Sequence, residues 1–303
     1  MHVNFHDWQV DNIVRYLDKN NIEKCWLLSW EEKDPAIKSI YAPLSIGGII
    51  EAYRVYPDRI VPFYAPDPAT EGFEEKLEEY KHLGVRGCGE LKVSYEWHSD
   101  EIGKYLEILD KLQLPLIFHM EYMRFHYVPK NDGIFERILN KLLNGGFNGL
   151  SRYYLEKICG TSLKLWNGHE YFPGYLWDFL YLENRIKEFP NVTFIGHGPH
   201  FWNNLAKYPK LDKYTHQKGK IKELGIIDRL LSYPNFYCDI SGKSGYNAMT
   251  RKGVKPFVEK HSKKILFGSD NTSLDLQRVL ESHGLPEDKL KDIYYNNAKR
   301  ILK

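Results

Sequence analysis

Five stretches of this sequence end in residues able to bind a metal ion or move a proton. Asn191 to Trp202, NVTFIGHGPHFW, runs from a short β-branched and aromatic stretch into His197 and, three residues on, His200. Gly196 and Gly198 leave backbone space beside the His197 imidazole. LIFHME sets His119 after another apolar run, GCGELK offers Glu90 and Lys92, and ILFGSD offers Asp270. The opening segment offers His2, followed by Asn4. Imidazole and carboxylate are the ligand set of zinc, manganese or iron. Each residue alone has an ordinary explanation. A strand-end histidine is commonly a hydrogen-bonded packing residue, Asp270 could cap a following helix, and Glu90 could pair with Lys92 or an arginine. Their joint recurrence behind buried runs favours metal binding. His2, Glu90, His119, His197 and Asp270 are the candidate ligands for one or two divalent ions, with zinc expected ahead of manganese or iron.

For these residues to meet, their strands must lie side by side and point one way. Strand patterns fall at Met1–Phe5, Cys25–Leu28, Ile60–Tyr64, Val85–Leu91, Leu114–Phe118, Val192–Ile195, Phe236–Ile240 and Ile265–Gly268. Helical spacing separates them at Asp7–Asn20, Ile46–Tyr56, Phe73–His82, Ile102–Leu112, Tyr181–Phe189, Lys222–Leu231 and Val254–His261, and continues at Leu274–Ser282 and Asp288–Leu302. Strand and helix alternate throughout, which argues for a parallel sheet with helical crossovers. Eight such units in 303 residues have the size of an α/β (β/α)8 TIM barrel, whose chemistry sits at the C-terminal ends of the strands. An open doubly wound sheet is the competing architecture. Its dinucleotide-binding form is disfavoured because no GxGxxG loop follows an early strand.

Hydrophobic residues make up 43% of the chain and charged residues 27%, with a net charge of +2. A single barrel domain over 1–303 can therefore build a large core, and neither nucleic acid nor an acidic membrane surface is called for as partner. Cys25, Cys88, Cys159 and Cys238 form no CxxC pair and read as free thiols in a reducing compartment, so a cytoplasmic location is expected. No stretch is apolar enough to span a membrane, and no signal peptide is evident.

Residues 121–177 are too long for a simple crossover. They carry Tyr122, Phe125, Tyr127, Phe135, Phe147, Tyr153, Tyr154, Trp166, Tyr171, Phe172, Tyr175 and Trp177. This reads as a partly helical insertion after the fifth strand, placed as a lid over the barrel mouth. A dimerisation arm or extra packing is the alternative, and a homodimer is a mild expectation.

The order of these motifs resembles the amidohydrolase superfamily, most closely its amidohydrolase-related branch. YPDRIVPFYAPDP (Tyr56 to Pro68) resembles the third-strand signature, and FPNVTFIGHGPH (Phe189 to His200) the sixth. ILFGSD (Ile265 to Asp270) resembles the eighth, and NNAKRIL (Asn296 to Leu302) the closing helix. The resemblance maps the family's fifth-strand histidine onto His119, its sixth-strand histidine onto His197 and its eighth-strand aspartate onto Asp270. In the family the first strand ends in His-x-His. Here only His2 matches, either as the second histidine of a chain whose natural start lies upstream, or as the first with Asn4 in place of the second. Glu90 resembles the fourth-strand glutamate of TatD-type hydrolases, which would allow two ions, and Lys92 is the other fourth-strand candidate.

The resemblance implies a metal-dependent hydrolase acting on an ester, lactone or amide of a small molecule. Asp270 would take the proton of the attacking water and pass it to the leaving group. His197 would be a second-metal ligand or polarise the substrate carbonyl. Lys92 and His200 would bind a substrate carboxylate or hydroxyl, and Trp202 would pack the substrate body. Two alternatives stand beside this reading. One is metal-dependent decarboxylation of an unsaturated or aromatic acid. The other is a catalytically silent ligand-binding barrel.

Overall fold

Four-residue apolar runs set the architecture. A computed structural model describes residues 10–31, 44–122, 124–127, 133–138, 169–172, 174–176, 178–207, 217, 219–270 and 275–302. The strands are β1 (Cys25–Leu28), β2 (Ile60–Phe63), β3 (Cys88–Leu91), β4 (Leu116–His119), β5 (Arg124–Tyr127), β6 (His169–Phe172), β7 (Phe194–His197), β8 (Phe236–Asp239) and β9 (Ile265–Leu266). β1 pairs with β2, and β3, β4, β7, β8 and β9 follow one another in a second group, all parallel. A parallel bridge between Phe63 and Gly87 links the two groups. Parallel neighbours taken in chain order, with helices between them, make the wall of an α/β barrel. The expected first strand, with His2 and Asn4, lies outside the described residues.

The helices are α1 (Val10–Lys19), α2 (Ile46–Val55), α3 (Phe73–His82), α4 (Asp100–Leu112), α5 (Phe179–Glu188), α6 (Pro199–Asn203), α7 (Ile226–Leu230), α8 (Gly242–Met249), α9 (Lys255–His261) and α10 (Asp275–Ser282). A last helical stretch comprises α11 (Glu287–Lys291), a π-turn at Asp292–Asn296 and α12 (Asn297–Ile301). Side chains at several N-termini satisfy orphan amides. Ser99 accepts from Ile102 N at 3.4 Å, and Asp178 accepts from Leu180 N at 2.8 Å and Tyr181 N at 3.0 Å. No helix among the described residues is long and apolar enough to cross a membrane.

The core has two layers because neighbouring strand residues point to opposite faces. Leu28, Phe63, Ile117, Ile195, Tyr237 and Leu266, one from each of six barrel strands, form a single inner cluster, floored by Ala298, Ile301 and Leu302 of the last helix. Leu116, Phe118, Phe194, Phe236 and Cys238 face outward into the larger core shared with the helices. His119 is two residues beyond Ile117, and His197 is two beyond Ile195. The same alternation that buries the isoleucines inside the barrel turns both imidazoles inward at its C-terminal mouth.

Several details differ from the sequence reading, among them the start of β3 at Cys88, the short helix α6 and the later start of α7 at Ile226. The strands bearing the histidines start two residues later than expected, at Leu116 and Phe194, so each histidine is the last paired residue of its strand, and His119 is paired opposite His197. Helix α8 was not anticipated, because GKSGYNAM carries two glycines and no apolar stripe. Of the proposed insertion at 121–177, the described parts include an antiparallel ribbon of β5 and β6 and a bridge between Glu121 and Tyr175. The lid role is not tested by these parts, and Phe147, Tyr153, Tyr154, Trp166 and Trp177 lie outside the described residues.

Candidate functional site

Strand β4 delivers His119 and β7 delivers His197, both buried, with ring centroids 5.3 Å apart. Glu90 reaches the same place through an irregularity in β3. Cys88 pairs with Leu116, but Leu91 pairs with Phe118, so three residues advance against two. The extra residue breaks the alternation, as a bulge does, and re-aims a side chain. Cys88 and Leu91 both face the outer core, and Glu90 faces the histidines.

Glu90 is fully buried and shared. Its Oε1 lies 2.6 Å from His119 Nδ1 and 3.5 Å from His197 Nε2, and its Oε2 lies 2.8 Å from Lys92 Nζ. The lysine contact is a buried ion pair. Lys92 Nζ also stands 5.1 Å from the centre of the Trp30 ring. On the far side of His119, Nε2 lies 3.3 Å from Glu121 Oε2. His197 Nδ1 lies 3.2 Å from Ser241 Oγ, and the Ser241 amide donates to Asp239 Oδ1 at 2.5 Å.

The two imidazoles are driven in opposite directions. For His119, burial is the largest influence and pulls the pKa down, but the Glu90 charge and the bonds to Glu121 and Glu90 outweigh it and hold the pKa above its ordinary value. For His197, burial prevails and holds the pKa below its ordinary value against the charges of Glu90, Asp239 and Asp270.

These residues fit a divalent metal ion. One ligand atom each from Glu90, His119 and His197 lies within 4.8 Å of the other two. Two imidazoles and a carboxylate are the donor set of a site that keeps a coordination position open. Proton counting agrees. A neutral imidazole has one N–H, whereas both nitrogens of His119 face carboxylates. Both can be served by an imidazolium, or by an imidazole that gives one nitrogen to a cation.

The other expected site residues take varied places. Asp270 does not join the group of three, but its charge acts on His197. It has a φ of 60°, and its carboxylate packs against Gly242, itself at φ 67°, where a Cβ would collide with Oδ2. Lys92 joins the group through Glu90. His200 is buried on α6 with its ring 3.7 Å from that of Tyr122 and 5.2 Å from that of Phe179, beside the group rather than in it. Trp202 is not brought to the site. It packs edge-on against Phe201 and Phe257 in the outer core, and its Nε1 donates to the Asp239 carbonyl at 3.0 Å. An indole beside a phenylalanine on a short helix went to packing, where its apolar face is buried and its N–H is satisfied. His2 is outside the described residues.

Sequence reasoning passed over Glu121, Asp239 and Ser241. The signal for Asp239 was available: it ends β8 as His119 ends β4 and His197 ends β7. Glu121 shares the parity of His119 two residues earlier. Gly198 is also fixed by the site. It sits at φ 101°, and a Cβ there would lie 2.6 Å from Met120 O, 2.8 Å from Met120 N and 3.1 Å from His119 Cδ2.

The fold recurs in solved structures. A 2,6-dihydroxybenzoate decarboxylase from Rhizobium is 17% identical, with 98% of this chain and 88% of that one covered and a TM-score of 0.52. A protein from Acinetobacter baumannii, described as a probable 2-pyrone-4,6-dicarboxylic acid hydrolase with citric acid bound, is 14% identical over 99% and 96%, with a TM-score of 0.53. A 5-carboxyvanillate decarboxylase from Novosphingobium aromaticivorans, complexed with manganese and 4-hydroxy-3-methoxy-5-nitrobenzoic acid, is 12% identical over 96% and 79%, with a TM-score of 0.54. At these identities the likeness speaks for the fold. No curated protein matches the sequence. The family model described as Amidohydrolase matches residues 49–303, a stretch that holds β2 to β9 and all three residues of the buried Glu90, His119 and His197 group, and the chain belongs to that family.

Proposed function

We propose that this protein is a metal-dependent hydrolase that cleaves an ester, lactone or amide bond of a small substrate. The observation that carries the reading is the convergence of Glu90, His119 and His197 within 4.8 Å at the ends of three neighbouring parallel strands. A divalent ion held there, zinc with manganese or iron as alternatives, supplies Lewis acidity and lowers the pKa of a water toward about 7. The residues around it do the rest. Asp270 accepts a proton from the attacking water and returns it to the leaving group. His197, kept neutral by burial, is oriented by Ser241 and presents Nε2 to the reacting centre. Lys92 offers a cation beside the Trp30 ring, which suits a carboxylate carried on a flat, unsaturated body. His200 stands near Tyr122 as a further polar contact.

The same lysine and indole favour one second reading, decarboxylation of an aromatic or unsaturated acid, the reaction named for two of the structurally similar proteins. Product analysis separates the two. Water-split product pairs support hydrolysis, and released carbon dioxide supports decarboxylation. The primary test is metal content by elemental analysis, followed by ester, lactone and amide panels with zinc or manganese added. Asp270→Ala is expected to remove most turnover while the protein stays folded. Undiminished turnover in that variant sinks the assignment, and a chain that takes up neither metal sinks the metal-dependent reading.

A further inference from the structure

Glu121 lies outside the group of three, yet it is one of two buried carboxylates on the His119 ring, the other being Glu90. We propose that Glu121 is a positioning residue that sets how His119 meets a divalent ion: Nδ1 is given to the ion, and Nε2 carries the proton and donates it to Glu121. The inference rests on the reading of Glu90, His119 and His197 as a metal site.

The two nitrogens of His119 are not equivalent in this structure. Nδ1 is 2.6 Å from Glu90 Oε1, the same oxygen that lies 3.5 Å from His197 Nε2. That side of the ring therefore faces the other two ligands. Nε2 points the other way, to Glu121 Oε2 at 3.3 Å. A histidine that binds a metal through one nitrogen commonly donates its other N–H to a carboxylate, which fixes the tautomer and raises ligand basicity.

Glu121 is also held so that it can act in this way. Its backbone exchanges two hydrogen bonds with Tyr175, N to O at 3.1 Å and O from N at 2.9 Å. The Tyr175 ring meets the His119 ring edge-on at 5.9 Å. The next residue, Leu176, is tied down by Trp97, whose Nε1 donates to its carbonyl at 3.0 Å. Residues 121 and 175 thus clasp each other through their backbones, with the Tyr175 ring beside the imidazole, and the carboxylate is delivered from a fixed backbone.

The test uses the full chain. Zinc affinity is measured by chelator competition for wild type, Glu121→Gln and Glu121→Ala. Folding of each metal-free protein is checked by circular dichroism. The tautomer of His119 in the zinc-loaded wild type is read by nitrogen NMR of histidine-labelled protein, assigned with His119→Gln. The expected result is about 10–100-fold weaker zinc binding in Glu121→Ala, a smaller loss in Glu121→Gln, which keeps an acceptor, and an Nε2-protonated His119. Should Glu121→Ala fail to fold, the glutamine variant and the tautomer decide. Wild-type affinity in both variants, or an Nδ1-protonated His119, overturns this inference and leaves the metal site standing. A wild-type chain that binds neither zinc nor manganese overturns both.

Discussion

Asn235 joins the strand that carries His197 to the helix before it. Its Nδ2 donates to three backbone carbonyls, Ile186 at 3.0 Å, Phe189 at 3.1 Å and Val192 at 3.1 Å. The first two close the C-terminal end of α5, where carbonyls have no partner within the helix. The third lies just ahead of β7. The Asn235 carbonyl accepts from Phe194 N at 2.8 Å and starts the pairing of β7 with β8. The side chain is buried, so water cannot replace it freely. Asn235→Ala leaves carbonyls unsatisfied, at about 1–3 kcal/mol for each fully stranded group. Two amide hydrogens shared by three carbonyls, with some relaxation, give a loss of about 2–4 kcal/mol. At roughly 2 °C per kcal/mol for a chain of this size, the melting temperature falls by about 4–8 °C. Asn235→Asp has the same shape but no donor and sets a buried charge against three carbonyls, so it is expected to be worse than alanine. Urea and thermal unfolding followed by circular dichroism measure both. An alanine variant within about 0.5 kcal/mol of wild type, or an aspartate variant milder than alanine, refutes the argument that donation to these carbonyls matters.

Gly198→Ala should cost about 1–3 kcal/mol from its glycine-only backbone conformation and more from the collision with Met120, and it should weaken metal uptake by displacing His119; unfolding midpoints and chelator competition report the two effects. Away from the site, Asp228 accepts from His261 Nε2 at 2.7 Å and from Lys260 Nζ at 2.7 Å. Burial tends to raise the Asp228 pKa, but these partners outweigh it and hold the carboxyl below its usual range. A carboxylate with a depressed folded pKa stabilises above its unfolded value, about 3.9, and that contribution is lost as the pH falls through the folded value. Wild type should therefore lose stability below about pH 4 more steeply than Asp228→Asn, and parallel acid limbs in urea midpoints would contradict this.

How much of this could be read from the sequence depends on what each feature needs. His119 and His197 were legible because a buried strand followed by a histidine is a local pattern, and period-two alternation then fixes the direction of the side chain. Glu90 was legible as a candidate, but its approach to His119 depends on the extra residue in β3, which shows only when Cys88 and Leu91 are paired against Leu116 and Phe118. Trp202 misled because an aromatic side chain near a site suits substrate packing and core packing equally, and only its contacts with Phe201 and Phe257 decide. Glu121 was missed because its meaning comes from Tyr175, 54 positions away, through a backbone bridge that no local pattern announces.

Charge explains why these separate placements converge on one role. Glu90 and Glu121 are buried against His119, and the charges of Asp239 and Asp270 act on His197. Lys92 stands against Glu90 as a permanent cation, with Nζ 2.8 Å from Oε2. Burying an excess of one sign is costly unless it is paired. A group built only for packing would gain from apolar residues of the same size, which often match or exceed a buried ion pair in stability. The inner layer directly below, from Leu28 to Leu266, shows that this barrel uses apolar residues wherever packing is the need. The buried carboxylates begin where that layer ends, at the C-terminal mouth, and the divalent cation proposed between Glu90, His119 and His197 would bring positive charge to them.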